Sequence, residues 1–169
     1  MIYFITETYL KNQTPITANV DVTDVTPFIR TQCEMRVQPI LGTYFYKDIL
    51  TKYNAQTLSP DEEILVSYIQ PVVAWRSAED AVFGLSYQLK NKGLQTQFGD
   101  NSNSVSIQEV NFGQDHYAQK ASFYESRLSH YLKDNKALFP EFTSDLNKDS
   151  DLKPLKTLDS GYNDSIMFF

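Results

Sequence analysis

The pattern that most restricts what this chain can fold into begins at Ser59. Ser59-Pro60-Asp61-Glu62 places a capping hydroxyl, then a proline at the first helical position, then a carboxylate three residues on that can reach back to the start. That is a capping box, and Asp61, Glu62 and Glu63 also sit at the positive end of the helix dipole. Behind it, Ile64, Leu65, Tyr68, Ile69, Val72, Trp75, Ala78, Val82, Leu85 and Leu89 recur at steps that put them on one face. The spacing predicts a helix to about Lys92, kinked at Pro71 and closed by Gly93 as a left-handed cap.

The rest of the chain is read around this helix. Residues 1–20 read as an extended arm, with a short strand in the alternation of Ile2 to Glu7 and a turn before Pro15. A helix is expected from Asp24 or Thr26, with Pro27 in its first turn and Phe28, Ile29, Cys33, Val37, Ile40 and Leu41 on one face. Pro39 and Gly42 predict a break near 38–43, followed by a shorter helix from about Thr43 to Tyr53. Leu94, Thr96 and Phe98 alternate, as do Val105 and Ile107, around a turn-rich stretch, so residues 94–111 read as a β-hairpin-like insert. A last helix is expected from about Gly113 to Asn135, and Leu138-Phe139-Pro140-Glu141-Phe142 ends the helical region. The fold class is therefore mainly α: a bundle of about four helices over 1–142, a hairpin-like insert at 94–111, and extended N- and C-terminal arms, with 143–169 as the tail.

Composition excludes several functions. The 169 residues carry 15 Lys+Arg against 21 Asp+Glu, a formal net charge of −6, which argues against a basic grip on nucleic acid. No apolar run of about 18 residues occurs, so no membrane span is expected, and Met1 to Glu7 lacks the basic start and apolar stretch of a signal peptide. A single cysteine, Cys33, rules out an internal disulfide and a cysteine-built metal site; it falls on an apolar stripe and reads as a buried thiol. His116 and His130, fourteen residues apart on one helix, lie about 21 Å apart, too far to share a metal. Arg76 can pair with Glu79 or Asp80, as a solvated ion pair or as a charge on a subunit interface. The same two acids are the one place where an acid–base site could be sought, with no nucleophile or base beside them. No P-loop, dinucleotide glycine pattern, zinc spacing or hydrolase elbow occurs, so no catalytic, cofactor-binding or metal residue is assigned and a non-enzyme is favoured. Tyr44, Phe45 and Tyr46 are consecutive and cannot all face one core, which makes them candidates for a partner contact.

The N-terminal segment Ile5-Thr6-Glu7-Thr8-Tyr9-Leu10-Lys11-Asn12, the stretch Pro39-Ile40-Leu41-Gly42-Thr43-Tyr44-Phe45-Tyr46, the long capped helix, and the close Arg127-Leu128-Ser129-His130-Tyr131-Leu132 with Leu138-Phe139-Pro140-Glu141-Phe142 occur in an order with a counterpart. Over residues 5–142 the chain resembles the head-to-tail connector (adaptor, or ring) proteins of tailed bacteriophages, of the crAss-like phage type. The resemblance implies a helical protomer in a homo-oligomeric ring, usually of twelve copies, under the portal protein. Such a ring extends the DNA channel, lets genomic DNA pass without sequence-specific binding, and docks further neck or tail proteins. The implied place is the virion neck, between capsid and tail, after assembly in the host bacterial cytoplasm. On this reading Tyr44, Phe45, Tyr46, Ile166, Met167, Phe168 and Phe169 are partner-binding, the last four as an anchoring plug. Phe98, Asp100, Asn101 and Asn103 of the insert then face the channel. The rival reading is a monomeric helical module that binds a peptide or small molecule between its helices.

Overall fold

The computed structural model describes residues 3–17, 19–90, 93–96, 106–148 and 151–154. The architecture is mainly helical. The N-terminal arm is not extended: Thr6 accepts a hydrogen bond from the Tyr9 N–H at 3.2 Å and starts helix α1 (Glu7–Gln13), whose Glu7 pairs with Lys11. Ahead of it, Phe4 has φ +52° and is fully buried. Its ring lies 5.8 Å from that of Tyr46 and 5.6 Å from that of Tyr53, and its carbonyl accepts from Gln70 Nε2 at 2.9 Å. Phe4 and Ile5 turn into the core and no strand continues past them, because the Thr6 cap takes over where pairing would have to continue.

Helix α2 (Val22–Gln32) begins at the Asp21 cap, earlier than expected, and carries Pro27 in its second turn. The expected break near 38–43 falls at Gly42; Pro39 itself does not break the chain, because a widened turn over Cys33–Val37 runs directly into α3 (Gln38–Leu41). There the Gln38 N–H reaches back to the Cys33 carbonyl, and a wide turn of this kind makes room for a proline that has no N–H to give. The chain breaks only at Gly42, at φ +81° and ψ 149°. Helix α4 (Thr43–Ala55) follows and ends on Gln56 in the left-handed region.

Helix α5 (Pro60–Ser86) is the predicted long helix, continuous across Pro71. Its capping box is formed on both sides: Ser59 N–H to Glu62 at 2.7 Å, and Glu62 N–H to Ser59 Oγ at 3.3 Å. Lys52 of α4 spans to Glu62 at 2.7 Å and to Asp48 at 2.7 Å, tying α4 to the start of α5. Burial alone would raise the Glu62 carboxyl's pKa, but Lys52 and the Ser59 N–H and hydroxyl outweigh it and hold it below its ordinary value. A depressed carboxyl contributes stability that is fully present above its unfolded pKa and is lost as pH falls through the folded one. Acid titration of the wild type should therefore show loss of helicity setting in below about pH 4.5, the usual glutamate range. Glu62→Gln should be less stable at pH 7 and flatter with pH in that window. An unchanged acid profile in the variant would show that other carboxylates govern it.

Helix α5 stops six residues short of the expected end, where the backbone of β1 (Tyr87–Lys90) pairs antiparallel with β2 (Gly93–Thr96). Gly93 is thus not a helix cap. The expected hairpin over 94–111 is also not found, since residues from Ile107 onward belong to α6 (Ile107–Asp134). Ser106 caps that helix: Ser106 N–H donates to Glu109 at 2.8 Å and Glu109 N–H to Ser106 Oγ at 3.3 Å. Ser106-Ile107-Gln108-Glu109 is a second capping box, masked in the sequence by the alternation of Val105 and Ile107. Phe98, Asp100, Asn101 and Asn103 lie outside the described residues.

Helices α7 (Pro140–Thr143) and α8 (Asp145–Lys148) complete the order. The domain does not end at 142. Asn147 is fully buried; its Oδ1 accepts from the Phe45 N–H at 3.2 Å, and its Nδ2 donates to the carbonyls of Leu41 and Phe142, each at 2.9 Å. The Thr43 N–H also reaches the Leu152 carbonyl at 2.9 Å. One core joins Phe4, Leu10, Ile29, Phe45, Ile49, Leu65, Ile69, Leu128, Leu132 and Phe139, with Phe45 5.8 Å from both Phe139 and Phe142.

Candidate functional site

The long antiparallel pair α5–α6 holds the densest polar and aromatic chemistry of the described residues. At its centre Arg76 is 4 % exposed and forks onto Glu125, Nε to Oε1 at 2.7 Å and Nη2 to Oε2 at 2.6 Å. Its Nη1 donates to Glu79 at 2.7 Å and Nη2 also to Ser122 Oγ at 3.2 Å. Burial alone would lower the guanidinium pKa, but the hydrogen bonds it donates to Glu125 and Glu79 dominate and hold it above its ordinary value. The sequence offered two local partners, Glu79 and Asp80, of which Glu79 pairs with Arg76. Glu125 lies 49 residues away, and no local spacing signals it. Arg76 is thus neither a solvated surface pair nor, within this chain, a free interface charge; it is the buried link between α5 and α6. Asp80 turns elsewhere, accepting from Gln32 Nε2 of α2 at 2.6 Å. Glu79 and Asp80 are held by separate partners and do not converge as an acid–base pair.

Beside this link the α5–α6 face is aromatic and cationic. Lys120 Nζ lies 4.3 Å from the Trp75 ring centre and 5.9 Å from that of Tyr117. Arg127 lies over Tyr68 at 5.2 Å, Phe123 at 5.9 Å and Tyr124 at 6.0 Å, and Tyr68 stacks on Tyr131 at 4.4 Å. Each such cation–ring contact contributes about 0.5–1 kcal/mol where exposed. Trp75, Gln119, Lys120, Phe123 and Tyr124 line a shallow open groove of about 400 Å³. Helix α6 packs principally on α5, and Phe112 and Phe123 on its outer side are 76 % and 59 % exposed.

The expected partner residues separate. Tyr44 is exposed, whereas Phe45 and Tyr46 are buried in the chain's own core and cannot meet a partner. Burial, with the Cys33 thiol and Glu34 nearby, pushes the Tyr46 hydroxyl pKa upward. Ile166, Met167, Phe168 and Phe169 lie outside the described residues. Cys33 is a buried thiol, its pKa raised by that burial. His116 and His130 are exposed. Among the described residues no cluster of His, Cys, Asp and Glu could hold a metal, and no helix is long and apolar enough to cross a membrane.

Residues 37–151 match a family described as of unknown function, DUF6712. The chain belongs to this family. The DUF6712 span opens at the end of the widened turn and closes beside Leu152. It takes in Gly42, the α5–α6 pair with its groove, and Asn147, and leaves out α1 and α2. No curated protein and no solved structure matches the chain.

Proposed function

We propose that the chain is a structural protein of the virion neck: a head-to-tail connector that forms a homo-oligomeric ring under the portal protein, extends the DNA channel and docks further neck or tail proteins. The resemblance over residues 5–142 supports this reading. The observation that carries it is the uncovered side of α6. Large side chains such as Phe112 and Phe123 directed outward from an edge helix are what a contact with another protein uses, not a solvated surface. A ring needs heterologous interfaces, one face of each copy on a different face of the next. The acidic balance suits a channel through which DNA slides, because every phosphate contact adds grip.

The test is the mass of the purified chain, alone and mixed with the portal protein of the same genome, by light scattering. The expected result is a shift of many copies onto portal. A strict monomer that ignores portal overturns the reading. In that case the groove beside Trp75 favours the rival, a monomeric helical module that binds a peptide or small molecule.

A further inference from the structure

The groove on α5–α6 combines two features seldom found together on a free surface. Its floor and rim are aromatic, from Trp75, Phe123 and Tyr124. Its two cations, Lys120 and Arg127, lie over rings, and among the described residues neither is in an ion pair. A segment that fits must therefore bring large apolar groups together with carboxylates, and must not bring cations. Residues 157–169 of this chain have that composition: Tyr162, Ile166, Met167, Phe168 and Phe169, with Asp159 and Asp164, and no Lys or Arg. Residues 94–105, with Phe98 and Asp100, also lack Lys and Arg but bring a single carboxylate and fewer large apolar groups, and Glu79, Asp80 and Glu125 are engaged in the fold.

The segment also starts from a fixed point. Asn147 and Leu152 are held against the start of α4, by Phe45 and Thr43 respectively. From Pro154 to Ile166 an extended chain reaches about 40 Å, more than the width of a small domain and enough to cross to an adjacent copy. We infer that residues 157–169 of one copy dock in the Trp75–Lys120–Phe123 groove of a neighbouring copy, the apolar residues on the rings and Asp159 or Asp164 toward Lys120 and Arg127. Repeated from copy to copy, this contact is heterologous and propagates in one direction. The inference rests on the homo-oligomeric part of the proposed function and is independent of the portal.

Trp75 is the single tryptophan of the chain, so its fluorescence reports the groove alone. A synthetic peptide of residues 155–169 is titrated into the full-length Phe168→Ser/Phe169→Ser variant, and the mass of wild type and variant is followed against concentration. The expected result is a saturable change in Trp75 emission, weakened about tenfold or more by Phe123→Asp and by Lys120→Glu, as for the loss of an interface anchor. Phe123 is exposed, so its substitution leaves the core intact, which circular dichroism checks. Wild type should gain mass with concentration while the double variant stays lighter. No saturable change in a helical variant overturns the inference. So does a wild-type emission already shifted and independent of concentration, which places the segment on its own copy. A chain that assembles on portal with the peptide inert sinks this inference and leaves the connector reading standing; a binding peptide with portal ignored does the reverse.

Discussion

Arg76→Met should lower the free energy of unfolding by about 3 kcal/mol or more, the usual cost of removing one partner from a buried ion pair. The guanidinium is 4 % exposed, while Glu125 and Glu79 keep 21 % and 24 % of their side-chain surface, so the carboxylates recover part of their hydration and the low end of the range applies. Urea denaturation followed by circular dichroism measures it. The companion change Arg76→Met/Glu125→Leu should restore much of the loss, because the stranded charge is removed along with its partner. A single-variant loss under about 1 kcal/mol, the range of exposed pairs, would mean that water reaches the link and that it does not join α5 to α6.

Gly42→Ala should be as damaging by a different route. At φ +81° and ψ 149° a side chain is strained, which costs about 1–3 kcal/mol. An added Cβ would also stand 2.4 Å from Asn147 Oδ1. Asn147 must then move, and the Phe45 N–H with the carbonyls of Leu41 and Phe142 loses a buried partner, at about 1–3 kcal/mol for a group left unsatisfied. Asn147→Ala alone should cost about 2–4 kcal/mol by the same loss. Because both changes break one contact, the double variant should fall well short of the sum of the two, measured as a thermodynamic cycle. Strict additivity would show that Gly42 is needed only for its backbone angles.

What could be read in advance divides along one physical line. Local signals were legible. The Ser59 box, the break before α4 and the buried character of Cys33 all depend on neighbours within a few residues, whereas the apolar face read for α5 held only in part, with Leu65, Ile69, Val72 and Ala78 buried but Ile64 exposed. Where two local signals competed, the wrong one was read. Val105 and Ile107 alternate like a strand, yet Ser106 and Glu109 cap a helix across them. Of the two residues that announced the break near 38–43, Gly42 makes it, while a widened turn absorbs Pro39. Three adjacent aromatics at 44–46 were correctly seen as unable to share one core, but not which would stay outside, since that depends on Phe139, Phe142 and Phe4 closing around two of them. The groove left no trace in the sequence. Trp75 and Lys120 meet only because α5 and α6 run antiparallel, and no spacing along the chain encodes their register.

The Asn147 contact also bears on how the chain is made. Its bonds to Phe45 and Leu41 close loops of 102 and 106 residues, whereas most helix hairpins close over a few tens. Contacts this remote raise the contact order and must wait for almost the whole chain. During synthesis α4 emerges with its start unfinished and Phe45 still lacking Phe139 and Phe142. A late step of folding is then the arrival of α7, Asn147 and Leu152. The Phe45 side of the core thus closes only after Asn147 has been made, which places this packing late in folding.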